Sequence, residues 1–258
     1  MNNYYNQLII GSGFAGLCAA IKLKQEGENN FLILERNNHL GGTWHDNDYP
    51  GAACDVESHL YSFSFEPNPD WSRAFSPQKE ILHYMEHCVE KYDLLKHIQL
   101  NCNITKAVFN EPDGTWEVET NSKKKYTAKV LISCAGGLSQ PSYPDIKGIA
   151  SFKGNLFHSA KWDKNCVFAN KTVAVIGTGA SAIQIVPAIA PEVKQLYLFQ
   201  RTAPWIIPKP DKEISSLRKW LYNHLPFVQQ LHRKRLYWQH EAMALAFIKQ
   251  PNLLKLFS

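Results

Sequence analysis

The sequence predicts an α/β protein made of two strand–helix–strand crossover units followed by a helical C-terminal segment. Three observations carry this expectation. A short, largely apolar run ending at a glycine cluster occurs twice, a helical pattern and a second apolar run follow each time, and the stretch from Asp211 onward has helical spacing. In the first unit, residues 7–10 stop at Gly11, a helical pattern runs through Leu17, Ile21 and Leu23, and Phe31–Leu34 ends at Glu35. A helix that crosses over between two strands forces them to be parallel.

The elements between the two units follow from punctuation. Gly41-Gly42 breaks the pattern and opens a long loop through Pro50-Gly51. Ser76-Pro77 reads as a helix start, with serine as N-cap and proline at the first helical position. That helix runs to about Tyr92, with Ile81, Met85 and Val89 on its buried face. Asp113-Gly114 between two alternating stretches, residues 108–120, is a hairpin signal, and residues 126–133 form a further strand. Pro141 and Pro144 mark a linker. The second unit is Thr172–Ile176, a turn over Gly177 and Gly179, a helix over residues 181–189, and Gln195–Phe199. The domain division is therefore residues 1–140, a linker at 141–150, residues 151–210 and a helical segment at 211–258.

Composition removes several function classes. Hydrophobic residues are 45% and charged residues 20% of the 258, the balance of a globular protein. The net charge of +5 is spread without a Lys/Arg run, so no nucleic-acid partner is expected. The six cysteines form no C-x-x-C pair, which argues against a metal site and a redox-active disulfide. The polar N-terminus leaves no room for a signal peptide, and no apolar stretch reaches the ~20 residues that span a bilayer. The expected location is cytoplasmic, without membrane attachment.

The chemistry sits on the two turns. Gly11-Ser12-Gly13-Phe14-Ala15-Gly16 is a G-x-G-x-x-G between a strand and a helix. The first glycine makes the turn, the second admits a pyrophosphate, and the third lets helix and strand pack closely. The helix dipole adds about 0.3–1 kcal/mol for an anion at that end. Glu35, closing the next strand, suits ribose hydroxyls. The plain reading is a tight turn without a ligand. Gly177-Thr178-Gly179-Ala180-Ser181-Ala182 repeats the pattern as G-x-G-x-x-A, but here the following strand leads into Arg201-Thr202. A guanidinium binds a 2′-phosphate that an acid would repel. The first turn therefore suits FAD and the second NADPH, which makes both units Rossmann-like dinucleotide-binding domains. For Arg201 the plain reading is a surface charge.

Two longer patterns add a family. Phe152-x-Gly154-x-x-x-His158-x-x-x-Trp162-Asp163 precedes the second turn, and Gly41-Gly42-Thr43-Trp44 leads through Tyr49-Pro50-Gly51 to Asp55. In order and spacing these resemble the two fingerprints of the type I Baeyer–Villiger monooxygenases, class B FAD/NADPH flavoproteins, over about residues 6–210. The resemblance implies FAD on the turn around Ala15, on Glu35, on Thr43, Trp44, His45 and Asp46, and on Asp55 and Tyr61, with Ile104 beside the adenine. It implies NADPH on Ala53, Cys54 and Asp55, on Thr178, Gly179, Ala180, Ser181, Ala182, Ile183 and Gln184, and on Arg201 and Thr202. His158 and Trp162 would couple cofactor binding to domain motion; for each, core packing is the plain alternative. The implied reaction inserts one oxygen atom of O₂ beside a ketone carbonyl to give an ester or lactone, by way of a C4a-peroxide of the flavin. Asp55 would pair with the active-site arginine.

That arginine belongs to a Lys-Arg element that Arg218, Arg233 and Arg235 do not resemble. The chain thus reads as the N-terminal portion, both cofactor domains truncated, with a second chain as a candidate source of the missing half. Cys134-Ala135-Gly136 replaces the family's usual Ala-Thr-Gly, a change of backbone contacts only. Leu217, Leu221, Leu225, Val228 and Leu231 form an apolar face on the basic tail that would normally pack; without the rest of the fold it reads as an orphaned insertion helix, with an anionic membrane surface or aggregation as the alternatives. The alternatives are a truncated, non-catalytic FAD-binding remnant and an N- or S-oxidising flavin-containing monooxygenase.

Overall fold

The computed structural model describes residues 3–249. Its contacts divide the chain into two compact units, one of Met1–Ala52 with Ile81–Pro204 and the other of Ala53–Glu80 with Trp205–Ser258.

The first unit is built on a six-stranded sheet. Its strands are β1 (Tyr4–Ile10), β2 (Phe31–Leu34), β3 (Ile98–Gln99), β4 (Ile104–Asn110), β5 (Thr115–Thr120) and β6 (Lys125–Ser133), in the order β3-β2-β1-β6-β5-β4. β6, β1, β2 and β3 run parallel, while β4, β5 and β6 are antiparallel neighbours. The crossover helix α1 (Phe14–Gln25) buries Leu17, Ala20 and Ile21. Every residue of β2 is buried, as expected of a parallel strand covered on both faces. On one side Leu8, Leu34, Val118, Tyr126 and Ala128 form a closed cluster. A four-residue helix, α2 (Thr43–Asp46), interrupts the expected loop. The longer α3 (Gln78–Lys91) begins after Pro77, and the Ser76 hydroxyl donates to Ser58 Oγ at 2.6 Å. The helix thus starts one residue later than expected.

The second crossover unit lies in the same compact unit: β7 (Thr172–Ile176) and β8 (Gln195–Phe199) pair in parallel, with α4 (Ala180–Ile189) between them in sequence. Val173, Val175 and Leu196 pack on Ile185 and Ile189 of α4. The other face is bare: Ile176, Tyr197 and Phe199 are each more than half exposed.

The second compact unit is a strap of loop held by two helices, α5 (Ser216–His224) and α6 (Pro226–Lys249). Arg73 Nε donates to Asp211 Oδ2 at 2.8 Å, and the Arg233 guanidinium donates to the His59 carbonyl at 2.8 Å. Among the described residues of the helices, Tyr222, Gln229 and Leu236 are buried. The leucine face is largely bare, as an orphaned helix would leave it: Leu217, Leu225 and Leu231 are 69%, 40% and 59% exposed. α5 ends before Leu225 and a new helix starts at Pro226, so the periodicity that joins those residues in sequence does not continue in space.

Candidate functional site

Two turns of one geometry open α1 and α4. Gly11 has φ +94° and Gly177 φ +107°, a region that L side chains rarely adopt. The N–H of Gly11 donates to Leu34 O and that of Gly177 to Phe199 O, both at 2.9 Å. Each turn is thereby tied to the end of the second strand of its own unit. The N-cap residues match as well: Gly13 has φ −75° and ψ −174°, Gly179 φ −72° and ψ 180°. Neither helix has a capping side chain or an acid in its first turn. Helix-start N–H groups left uncapped, with the dipole behind them, make an anion site.

The glycines differ in what surrounds them. A Cβ on Gly16 would stand 1.9 Å from the Gly11 carbonyl oxygen, so α1 touches its own turn. A Cβ on Gly13 would meet nothing nearer than Gly42 Cα at 3.8 Å. Gly13 is thus unfilled by protein, as a pyrophosphate cradle requires. A Cβ added at Gly177 or Gly179 would meet nothing within 4 Å beyond its chain neighbours.

Glu35 is 3% exposed and carries three hydrogen bonds. Its Oε2 accepts from the Ser12 N–H at 2.8 Å and the Ser12 hydroxyl at 2.7 Å, and Oε1 accepts from Asn37 N–H at 2.9 Å. The carboxylate therefore holds the first turn, and its remaining acceptor capacity is available to a ribose hydroxyl. Ser12 was not among the residues singled out from the sequence. An x position in G-x-G-x-x-G carries no signal until the acid is seen to reach it. Next to it, Asp46 takes bonds from Arg36 at 2.8 Å and Asn37 at 2.9 Å, His45 stacks on His39, and Trp44 is buried. Thr43 and Ala15 are exposed, and Ile104 lies half-buried against the cluster around Tyr126.

At the second turn the acid is replaced. Arg201 follows β8, is exposed and enters no ion pair among the described residues. Thr178 Oγ1 donates to the Thr202 carbonyl at 3.4 Å, a long bond. Ala180, Ser181, Ala182 and Ile183 form the first turn of α4, with Gln184 one residue on.

The residues between the turns make local contacts. A Cβ on Gly154 would meet the Phe152 ring at 2.7 Å, so the ring lies over the glycine. His158 accepts from the Ala160 N–H through Nδ1 at 3.1 Å and meets Tyr143 edge-on. Trp162 packs against Phe157, Phe168 and Tyr49, and Asp163 accepts from the Asn165 N–H at 3.0 Å. Ala53, Cys54, Asp55 and Tyr61 belong to the other compact unit. There Asp55 is exposed, Ala53 and Tyr61 are half-buried, and burial pushes the Cys54 thiol up to about 11. A thiol so raised stays protonated at neutral pH and is not a nucleophile. Among the described residues no cluster of His, Cys, Asp or Glu could hold a metal ion, and no helix is long and apolar enough to cross a membrane.

Comparison with known proteins agrees with this geometry. Residues 6–217 match the family described as flavin-binding monooxygenase-like. A Baeyer-Villiger monooxygenase of Pseudomonas aeruginosa is 50% identical over 248 residues, 96% of this chain and 47% of that protein. One of Streptomyces coelicolor is 48% identical over 246 residues, 95% of this chain and 47% of its own length. Among solved structures, a complex of OTEMO with FAD and NADP superposes with a TM-score of 0.82 at 37% identity, covering 88% of this chain and 45% of that one. The chain spans about half the length of the curated relatives it matches.

Proposed function

We propose, from the premise that this chain belongs to the flavin-binding monooxygenase-like family, that it is the FAD- and NADPH-holding portion of a Baeyer–Villiger monooxygenase. The observation that carries the reading is the pair of matched turns with unlike neighbours, a buried carboxylate at one and an exposed guanidinium at the other. In this proposal Gly11, Gly13, Ala15 and Gly16 present backbone N–H groups to the FAD pyrophosphate, and Glu35 fixes the turn. Residues 1–140 form the FAD domain, 141–150 the linker, 151–210 the NADPH domain and 211–258 the helical segment. Bound FAD would supply the redox chemistry that uses NADPH and O₂ to place oxygen beside a ketone carbonyl. The protein's share is to orient the cofactors and exclude water.

The coenzyme assignment is tested at Arg201. A charge-assisted hydrogen bond to the 2′-phosphate contributes about 1.5–3 kcal/mol. Arg201→Gln is expected to lower the preference for NADP⁺ over NAD⁺ by about ten- to a hundredfold, measured as two dissociation constants on FAD-loaded protein. An unchanged preference would remove NADPH from this site.

A second reading is favoured by the bare face of β7 and β8. Parallel strands are ordinarily covered on both faces, and Ile176, Tyr197 and Phe199 stand exposed here. In that reading the chain is a non-catalytic FAD-binding module. NADPH consumption no faster than that of free flavin, with a ketone and O₂ present, would select it.

A further inference from the structure

The turn over residues 48–52, on the polypeptide that leaves the first glycine-rich unit, lies against the helix of the second. Tyr49 is 8% exposed, and its hydroxyl donates to Gln184 Oε1 at 3.1 Å. Gly51 follows with φ +80°; a Cβ there would stand 2.7 Å from the Gln184 carbonyl oxygen and 3.1 Å from Ala188 Cβ. Gln184 and Ala188 are one helical turn apart on α4, so Gly51 seats on a single face of that helix. Asp48 pairs with Lys164 on the adjoining loop, and Tyr49 also meets Trp162, with ring centroids 6.5 Å apart.

The contact falls where α4 is weakest. Pro187 sits inside the helix and has no N–H to donate to the Ile183 carbonyl. An α-helix with a missing rung bends easily, and the contacts at Gln184 and Ala188 each fall one residue past an end of that rung. The N-terminus of the same helix carries Gly179, Ala180 and Ser181, the anion end of the second turn. Whatever fixes the body of α4 also fixes where that end points.

We infer that Tyr49 and Gly51 form a clasp that positions α4 for the coenzyme, and that Gln184 acts as a positioning residue within that clasp instead of touching the coenzyme itself. The inference rests on the reading that the second turn takes NADPH. It turns the aromatic-Pro-Gly portion of the pattern Gly41 to Asp55 into a mechanical part of the nicotinamide site, although it lies on the flavin side of the sequence.

The test is a set of NADP⁺ dissociation constants, with FAD content measured on the same samples. Tyr49→Phe keeps the ring and removes one hydrogen bond; it is expected to weaken NADP⁺ about three- to tenfold while FAD binding stays within about twofold. Gln184→Leu removes the same bond together with a further contact of Gln184 and is expected to weaken NADP⁺ at least as much, and the double variant to be no worse than Gln184→Leu alone, because Tyr49→Phe then has no bond left to remove. Gly51→Ala is expected to weaken NADP⁺ more than about tenfold and to speed hydrogen exchange along α4. If it does not fold, the Tyr49 and Gln184 cycle still decides. Additive losses would mean that Gln184 touches the coenzyme and would overturn the clasp, as would a Tyr49→Phe protein that binds NADP⁺ normally. Wild-type protein that holds FAD but no NADP⁺ would instead overturn the nicotinamide assignment, and the clasp with it.

Discussion

Gly16→Ala is expected to destabilise the folded chain by about 3 kcal/mol or more, whereas Gly13→Ala will leave it folded and strip it of flavin affinity. The two glycines are three residues apart in one motif, and the structure assigns them unlike work. A methyl on Gly16 would lie 1.9 Å from the Gly11 carbonyl oxygen, which is backbone and cannot rotate away. Helix α1 would have to lift off β1, exposing Leu17 and Ile21, both fully buried. On Gly13 the methyl meets only Gly42 Cα at 3.8 Å, and the backbone there, at φ −75°, suits alanine. Stability should change by less than about 1 kcal/mol, yet in the proposed site the methyl would occupy the approach of the pyrophosphate. FAD affinity is expected to fall by about a hundredfold or more. Thermal melts and flavin titrations of the two variants check this. Equal losses of stability in both would show that Gly13 is a packing glycine, and normal FAD binding by Gly13→Ala would show that the first turn is not the flavin site.

The contrast explains what could be read from the sequence. Strand ends at glycines, the Asp113-Gly114 turn and the crossover pattern are local signals, and β2, β7 and β8 fall where those signals place them. Gly114, at φ +61°, sits in the hairpin turn between β4 and β5. Both glycine turns were legible for the same reason, since a glycine turn between strand and helix carries its geometry in its own residues. The pairing of β6 beside β1 was not, because strand order depends on contacts more than a hundred residues apart. Nor was the Ser12 to Glu35 bond, or the Tyr49 to Gln184 bond across 135 positions. The leucine face of the tail shows the limit most plainly. Leu217, Leu225 and Leu231 have helical spacing, but Pro226 starts a second helix and Tyr222 and Gln229 take the buried positions. A polar Gln229 in that place has no hydrophobic signal to announce it. It is there because its amide reaches the Asn68 carbonyl at 2.6 Å and the His59 ring at 3.2 Å.

His59 gives the second large effect, an acid limb in the stability of the strap. It is 4% exposed, and burial first, then the charges of His232, Arg218 and Arg233, push it down to about 3. Its Nδ1 faces the Gln229 amide, which donates to it, so the ring sits neutral in the folded chain. Unfolded, it returns to an ordinary histidine near 6.5. Between those two values the unfolded chain takes up a proton that the folded chain refuses. The contribution is therefore complete above about pH 6.5 and is lost as pH falls toward about 3, at about 1.4 kcal/mol per pH unit at most. His232 and His97 are also lowered, chiefly by burial, and lean the same way, while Glu57 opposes the shift at His232. His59→Phe keeps the ring edge against Tyr222 and leaves Gln229 its bond to Asn68. Urea midpoints followed by tryptophan emission at pH 7, 6 and 5 should therefore fall steeply for the wild type and more gently for the variant. That window lies above most carboxylate titrations, so the difference in slope belongs to this ring. Parallel slopes would place the acid sensitivity of the fold on the remaining histidines and leave His59 as a packing residue alone.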